Sequence, residues 1–343
     1  NGATLNMSTS TMSGNAFTLS NGGTLGIGSP NGITTPPTAS GNIQTTTRTY
    51  NTGANYTYNG TANQATGNGL PATVNNLTID NTGGAGNNIV TLGASHTVNG
   101  VLTFTNGNIA TGANSIILPV AATVSGAGTG KYVNGNVQRA FTAGSPTFTF
   151  PIGDGSNYAP VDLTFTGITT GGDVTASTTA SDCAGSSGID TAKSVNHCWT
   201  LTNSGTVFTS YSPTFNFVGV GTDADAGANT ANFIVRRFSG GTWSATTNGT
   251  RTATSTQATG VTAMSDFAVG ESSLANTTTT VNCATNPVTV FSGTVCTATV
   301  TRASGANTPS GTITWGTDGA GAFTAANTCN LVATVTPGVS DCS

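Results

Sequence analysis

Between Val74 and Pro119 the chain reads VNNLTIDNTGGAGNNIVTLGASHTVNGVLTFTNGNIATGANSIILP. Short apolar beats (Leu77 and Ile79, Ile89 and Leu92, Val101 and Leu102 with Phe104, Ile116 with Leu118) are separated by Asn, Gly and Thr. No window of this stretch keeps a 3.6-residue apolar period, so a helix has no face to bury. The beats fit short β-strands, and the Asn and Gly between them fit tight turns. The same pattern opens the chain in NAFTLSNGGTLGIGSPNGI (15–33), and Gly41-Asn42-Ile43 has a counterpart in Gly135-Asn136-Val137. The repeat is imperfect, at roughly 15–25 residues per cycle. Such self-similarity predicts a parallel β-solenoid over 1–145, in which each coil buries its apolar face against the next. Stacked Asn amides and Thr hydroxyls would hydrogen-bond along it. An antiparallel sandwich with long hairpins is the competing arrangement.

Charge is scarce. Eight basic and twelve acidic side chains make up 6% of 343 residues, against roughly 25% in an ordinary domain. With 36% hydrophobic residues in strand-like runs, the chain is nevertheless not of the disordered type, which combines low hydrophobicity with high charge. A net charge of −4 and scattered Lys and Arg exclude the basic stripe that nucleic acid requires. They also disfavour anionic membrane surfaces, and no apolar run reaches the length of a spanning helix. The expected class is all-β: the solenoid, then an antiparallel β-sandwich over 146–273, then an immunoglobulin-like unit over 278–343.

Six cysteines fall as close pairs: Cys183 and Cys198, Cys283 and Cys296, Cys329 and Cys342. Metal sites favour CxxC spacing with His companions, and His96 and His197 are the only histidines. Three disulfides in an oxidising, extracellular compartment are expected instead. No secretory signal opens the chain, which predicts a mature chain or a fragment.

Catalytic chemistry is poorly supplied. The first 145 residues carry Arg48, Asp80, Lys131 and Arg139 as their charged side chains, so paired-carboxylate hydrolysis has no second acid there. No GxSxG elbow is present. The chain is therefore expected to be no enzyme and to need no cofactor. His96 is expected at a turn or surface, and His197 at a strand end rather than as a base. Asp154, in IGDGSNYAP, suits a turn held by its side chain. Asp223-Ala224-Asp225-Ala226-Gly227 alternates carboxylates before a Gly bend, as a calcium loop does, but lacks the later Glu of an EF-hand. Calcium at Asp223 and Asp225 is thus one candidate and an exposed turn the other. Tyr50, Tyr56 and Tyr58 lie close together, with Tyr56 and Tyr58 on one side of a strand. They are candidates for stacking on a glycan, or for packing inside the solenoid. Trp199, Trp243 and Trp315 are expected in cores.

Three stretches carry a resemblance. YTYNGTANQATGNGLPATVNNLTIDN (56–81) resembles a stretch common in large secreted, adhesin-like bacterial surface proteins exported through a C-terminal sorting domain. FTFPIGDGSNYAPVDLTFTG (148–167), the Trp199 strand, RRFSGGTW (236–243) and SDFAVG (265–270) resemble a domain that follows the repetitive region in those proteins. The segment from Thr277 to Trp315 is similar to a bacterial immunoglobulin-like repeat. The resemblance implies pairing of Cys283 with Cys296 and of Cys329 with Cys342, each on neighbouring strands, although four cysteines allow three connectivities. Cys183 and Cys198 would pin a loop to the Trp199 strand, worth about 3 kcal/mol for a loop of this length. The last repeat looks incomplete, to be continued by further chain or completed by strand addition from another subunit. The implied function is a non-enzymatic extracellular structural protein: a subunit of a cell-surface filament, or an adhesin stalk, with copies of itself or other surface proteins as partners. A glycan-binding surface module and a non-catalytic fragment of a polysaccharide-degrading enzyme are the alternatives.

Overall fold

The computed structural model describes residues 2–37, 40–185, 188–273, 277–284, 294–302, 308–316, 327–336 and 338–342. Parts of the segment that resembles an immunoglobulin-like repeat, 285–293 and 303–307, lie outside these. The fold is all-β, with no α-helix among the described residues. It divides into two compact units, Asn1–Ser272 and Ser273–Ser343.

The first unit opens with a parallel β-solenoid of about 7 turns. Thr4–Asn6, Thr24–Ile27, Asn55–Tyr58, Leu77–Asp80, Val101–Asn106 and Thr123–Ser125 form one six-stranded face, every pair parallel. Parallel pairing excludes the long-hairpin alternative. The register stacks like on like: Leu25 opposite Tyr56, Tyr56 opposite Leu77, Leu77 opposite Leu102. These four are 0% exposed. One residue on, Thr57, Thr78 and Thr103 stack on the outer side, because successive strand residues face opposite ways. A second face runs through Ile89–Thr91, His96–Val98, Asn108–Leu118 and Val133–Phe141, again in parallel.

At the corners the turning backbone leaves polar groups inside, and buried amides satisfy them. Asn42 Nδ2 donates to the carbonyls of Ser8 (2.8 Å) and Ser10 (2.7 Å), while its Oδ1 accepts from the Ser29 N–H. Gln64 donates to the Ile27 carbonyl at 2.8 Å and accepts from the Gly60 N–H at 2.9 Å. Asn81 donates to Gln64 Oε1 (3.0 Å) and to the Ala62 carbonyl (2.7 Å), and accepts from the Gly83 N–H. Coil is thus tied to coil through side chains as well as strands. Glycine is sterically required at several positions. Gly67 turns a corner at φ 78°, where a Cβ would lie 2.0 Å from the Ile33 carbonyl oxygen. Gly26 sits beneath the Asn59–Asn6 amide bond (2.9 Å), where a Cβ would lie 2.8 Å from Asn6 Oδ1.

Val133–Phe141 is where the fold changes. It pairs in parallel with Asn108–Leu118 on one edge and antiparallel with Gly172–Thr179 on the other. The sheet continues through Cys198–Ser204, Asp266–Ser272 and Ile234–Ser239, all antiparallel. A separate five-stranded sheet holds Thr147–Phe150, Val161–Thr170, Val207–Asn216, Ser255–Thr259 and Thr247–Arg251. Side chains of the two sheets meet in aromatic pairs: Phe141 with Phe165 (4.9 Å), Trp199 with Phe215 (5.1 Å) and Phe215 with Phe267 (5.0 Å). One apolar interior therefore runs from Met7 to Val269. Arg139 closes the junction, donating to the carbonyls of Pro119, Val120 and Ala122 and lying 4.5 Å over the Phe148 ring.

In the second unit, Thr277–Cys283, Cys296–Arg302, Val339–Cys342 and Val332–Ala333 form an antiparallel sheet, and Thr312–Thr314 pairs with Thr328–Asn330. Cys283 and Cys296 are bonded directly across a ladder. Cys329 bonds to Cys342 on a strand of the other sheet, not on a neighbouring strand of its own. The third disulfide is Cys183–Cys198. Of the three Trp residues only Trp199 is fully buried, and Trp243 and Trp315 are half-buried.

Removing a buried amide strands its partners at about 1–3 kcal/mol per unsatisfied group. Asn81→Ala is expected to lower unfolding stability in urea by about 2–4 kcal/mol, whereas exposed Asn87→Ala stays within about 0.5 kcal/mol. Equal effects would show that the corner amides do not tie the coils.

Candidate functional site

A buried charged cluster is built from three residues far apart in the chain. Asp154 sits in the turn after Ile152–Gly153, His197 immediately precedes Cys198–Ser204, and Asp223 lies in the loop after Val207–Asn216. The fold brings both carboxylates to one imidazole. His197 Nδ1 lies 3.1 Å from Asp154 Oδ2, and Nε2 lies 3.1 Å from Asp223 Oδ2, with all three side chains 0–1% exposed. The Nε2 contact is an aligned hydrogen bond. The Nδ1 contact lies off that alignment. The imidazole also packs edge-on against Trp199 at 5.3 Å.

Each carboxylate is anchored from behind. Asp154 Oδ1 accepts from the N–H groups of Ser156 and Asn157, both at 2.7 Å, closing its turn as an Asx turn does. Asp223 accepts from the Val218 N–H at 2.6 Å and the Gly219 N–H at 2.8 Å. Burial alone lowers the His197 pKa, but hydrogen bonding and charge from Asp154 and Asp223 outweigh it and raise it to about 9. Burial alone raises the two carboxyl pKa values, and His197 with the backbone donors brings both below their ordinary range. At neutral pH the cluster is an imidazolium between two carboxylates. With both ring nitrogens protonated and facing acids it has no lone pair to offer, so it is a buried clamp on three loops rather than a general base.

Beside it, Asp225 accepts from the Ser194 N–H (2.8 Å) and from Asn196 Nδ2 (3.2 Å), and the Ser194 hydroxyl lies 2.6 Å from Asp182 Oδ1. Burial raises the Asp182 pKa. The candidate calcium pair, Asp223 and Asp225, is thereby divided. Their oxygens meet N–H donors and His197, not a common cation position, because alternate residues of this loop serve different neighbours. Among the described residues no group of three His, Cys, Asp or Glu is placed to hold a metal ion. Cys183–Cys198 staples the chain next to His197.

Of the two readings of the tyrosines, the fold matches packing inside the solenoid. Tyr56 and Tyr58 are 0% exposed, pointing inward from Asn55–Tyr58, and Tyr58 donates to the Thr66 carbonyl at 2.9 Å. Tyr50 packs between Phe17 (5.9 Å) and Tyr56 (6.4 Å). A sugar has no face of Tyr56 or Tyr58 to stack on, since the period that aligns them also aims them into the coil. His96 too is inside rather than at a turn or surface. It is 1% exposed, its Nδ1 is 2.9 Å from the Pro71 carbonyl, and burial lowers its pKa. Sequence reasoning missed the Asp154–His197–Asp223 cluster. Its local trace is that both acids sit in glycine-containing turns, Gly153-Asp154-Gly155 and Gly221-Thr222-Asp223.

Comparison of the chain with protein-family models, with curated proteins and with solved structures found no match in any of the three.

The clamp makes stability depend on pH in two directions. The His197 pKa is raised from 6.5 to about 9, so its contribution is full below pH 6.5 and fades as pH climbs to about 9, for a loss of about 3 kcal/mol. The depressed Asp154 and Asp223 contribute above their ordinary 3.8 and lose that contribution as pH falls through their lower values. Thermal unfolding is therefore expected to show a plateau from about pH 4 to 6.5 with a decline on each side. His197→Ala, which leaves two buried acids face to face, is expected to cost about 3–5 kcal/mol at neutral pH. An NMR titration placing the His197 midpoint at or below 6.5 would overturn the clamp.

Proposed function

We propose that the chain is a non-enzymatic extracellular structural protein, the subunit of a cell-surface filament or the stalk of an adhesin. The observation that carries this is the in-register solenoid, with leucines and tyrosines stacked inside and threonines stacked outside. A parallel ladder of that kind spreads a load over many backbone bonds and many coils at once. Three disulfides suit an oxidising environment, and no helix among the described residues is long and apolar enough to cross a membrane. Eight Lys and Arg in 343 residues leave few sites for trypsin-like proteases.

In this proposal the antiparallel segment up to Ser272 is a β-sandwich, supported by the aromatic pairs between its sheets. The second unit is an immunoglobulin-like repeat, supported by its small antiparallel sheets and the disulfide joining them. Assembly is head to tail by strand complementation.

Electron microscopy of cell-surface material labelled with antibody to this chain tests the proposal. Labelled filaments or stalks are the expected result. Label confined to the cell interior would sink it, and a monodisperse monomer from purified native material would remove the head-to-tail form.

A further inference from the structure

The solenoid-to-antiparallel junction carries three hollows that share walls. The largest, about 610 Å³, lies between the last coil, at Val124 and Ala127, and the strands that hold Phe148 and Asp162. The next, about 480 Å³, shares Tyr158 and Asp162 with it and continues to Asn216. The third, about 380 Å³, shares Thr129 with the second and runs on to Lys131 and the solenoid corners at Asn81 and Asn106. Shared lining residues make the three hollows neighbours in series, each open to solvent and none a closed pocket, and we read them as one groove. We propose that it binds a linear, neutral polysaccharide.

Shape and chemistry agree on that ligand class. A groove formed by successive hollows fits a polymer better than a compact metabolite. Its lining holds two charged side chains of opposite sign, Asp162 and Lys131, so it has no field to draw a polyanion. Most of the wall is Thr, Asn and Gly, whose hydroxyl, amide and backbone groups match sugar hydroxyls. Tyr158 supplies an aromatic surface. Its ring is braced from behind by buried Tyr132, with centroids 6.0 Å apart and planes 28° from parallel. Asp162 is held ready: it accepts from Thr149 Oγ1 at 2.5 Å and from Asn216 Nδ2 at 2.8 Å. A carboxylate has about four lone-pair positions, so half of its capacity is left for a ligand.

The groove is also pre-organised. Tyr158 ends the turn that Asp154 closes through Ser156 and Asn157, and Asp154 is pinned to His197. Gly153 and Tyr158 bridge across the base of that turn. The aromatic wall is therefore set before any ligand arrives, which reduces the ordering cost of binding. This inference stands apart from the structural role, since a monomer that never forms filaments would still carry the groove.

Affinity electrophoresis of the disulfide-intact chain in gels containing hydroxyethylcellulose, galactomannan, arabinoxylan or dextran tests it, with heparin and polygalacturonate as comparators. At least one neutral polysaccharide is expected to retard the chain. Calorimetry with its oligosaccharides should show affinity rising with length from di- to hexasaccharide. Tyr158→Ala is expected to weaken binding at least tenfold. Thr129→Trp, at an exposed position shared by two hollows, should block the groove while leaving the unfolding temperature unchanged, and Asn87→Ala should bind normally. The proposal is overturned if no neutral polysaccharide retards the chain, if only the polyanions do and salt abolishes it, if affinity is independent of length, or if Thr129→Trp binds as well as the unsubstituted chain. Retardation caused instead by self-association, seen as a matching shift in gels without polysaccharide, also overturns it.

Discussion

In-register stacking of inward-facing residues is the constraint on which the solenoid depends. A single coil has too little interior to fold alone. It gains one only when Leu25 sits on Tyr56, Tyr56 on Leu77 and Leu77 on Leu102. A slip of one residue would exchange these with the outer Thr57, Thr78 and Thr103, putting hydroxyls inside and large apolar groups in water. Corner amides protect that register. Gln64 and Asn81 bond to each other and to backbone groups of the preceding coils, so a shifted coil would leave several buried polar atoms without partners.

The same interior carries the change from parallel to antiparallel pairing. Val133–Phe141 offers its two edges to different ladder types, and the apolar core passes through it without a break. Arg139 illustrates how a charge-poor chain uses its charges. It is spent on three loop carbonyls and an aromatic ring at the junction, where the backbone turns away from regular pairing and needs donors.

Local periodicity made much of this legible in the sequence. The beats at Leu77, Ile79, Leu102 and Phe104 are buried strand positions, and imperfect repetition pointed to coils. The imperfection has a physical source: coils need matching registers, not matching lengths, so corners and loops vary between them. Tyr56 and Tyr58 were legible as two residues on one face, but a period of two does not say which face is inside. The pairing partners of His197 were not legible at all. Asp154 and Asp223 reach it only after two different sheets have formed, and each reads locally as an ordinary turn acid. The link from Cys329 to a strand of another sheet escaped for the same reason, since it depends on tertiary placement.

The clamp and the groove are coupled through one short turn. Asp154 faces His197 with one oxygen and the Ser156 and Asn157 amides with the other. Deprotonation or loss of His197 would thus act first on the turn that ends in Tyr158. A buried ion cluster contributes little net stability against a well-packed apolar core, because desolvation offsets much of its attraction. Its effect is conformational. Three loops from separate parts of the chain are fixed to one imidazole, and the surface between the last coil and the five-stranded sheet inherits that rigidity. In a chain with so few charges, three of them stand together inside at this junction, where side-chain chemistry holds the backbone of three loops.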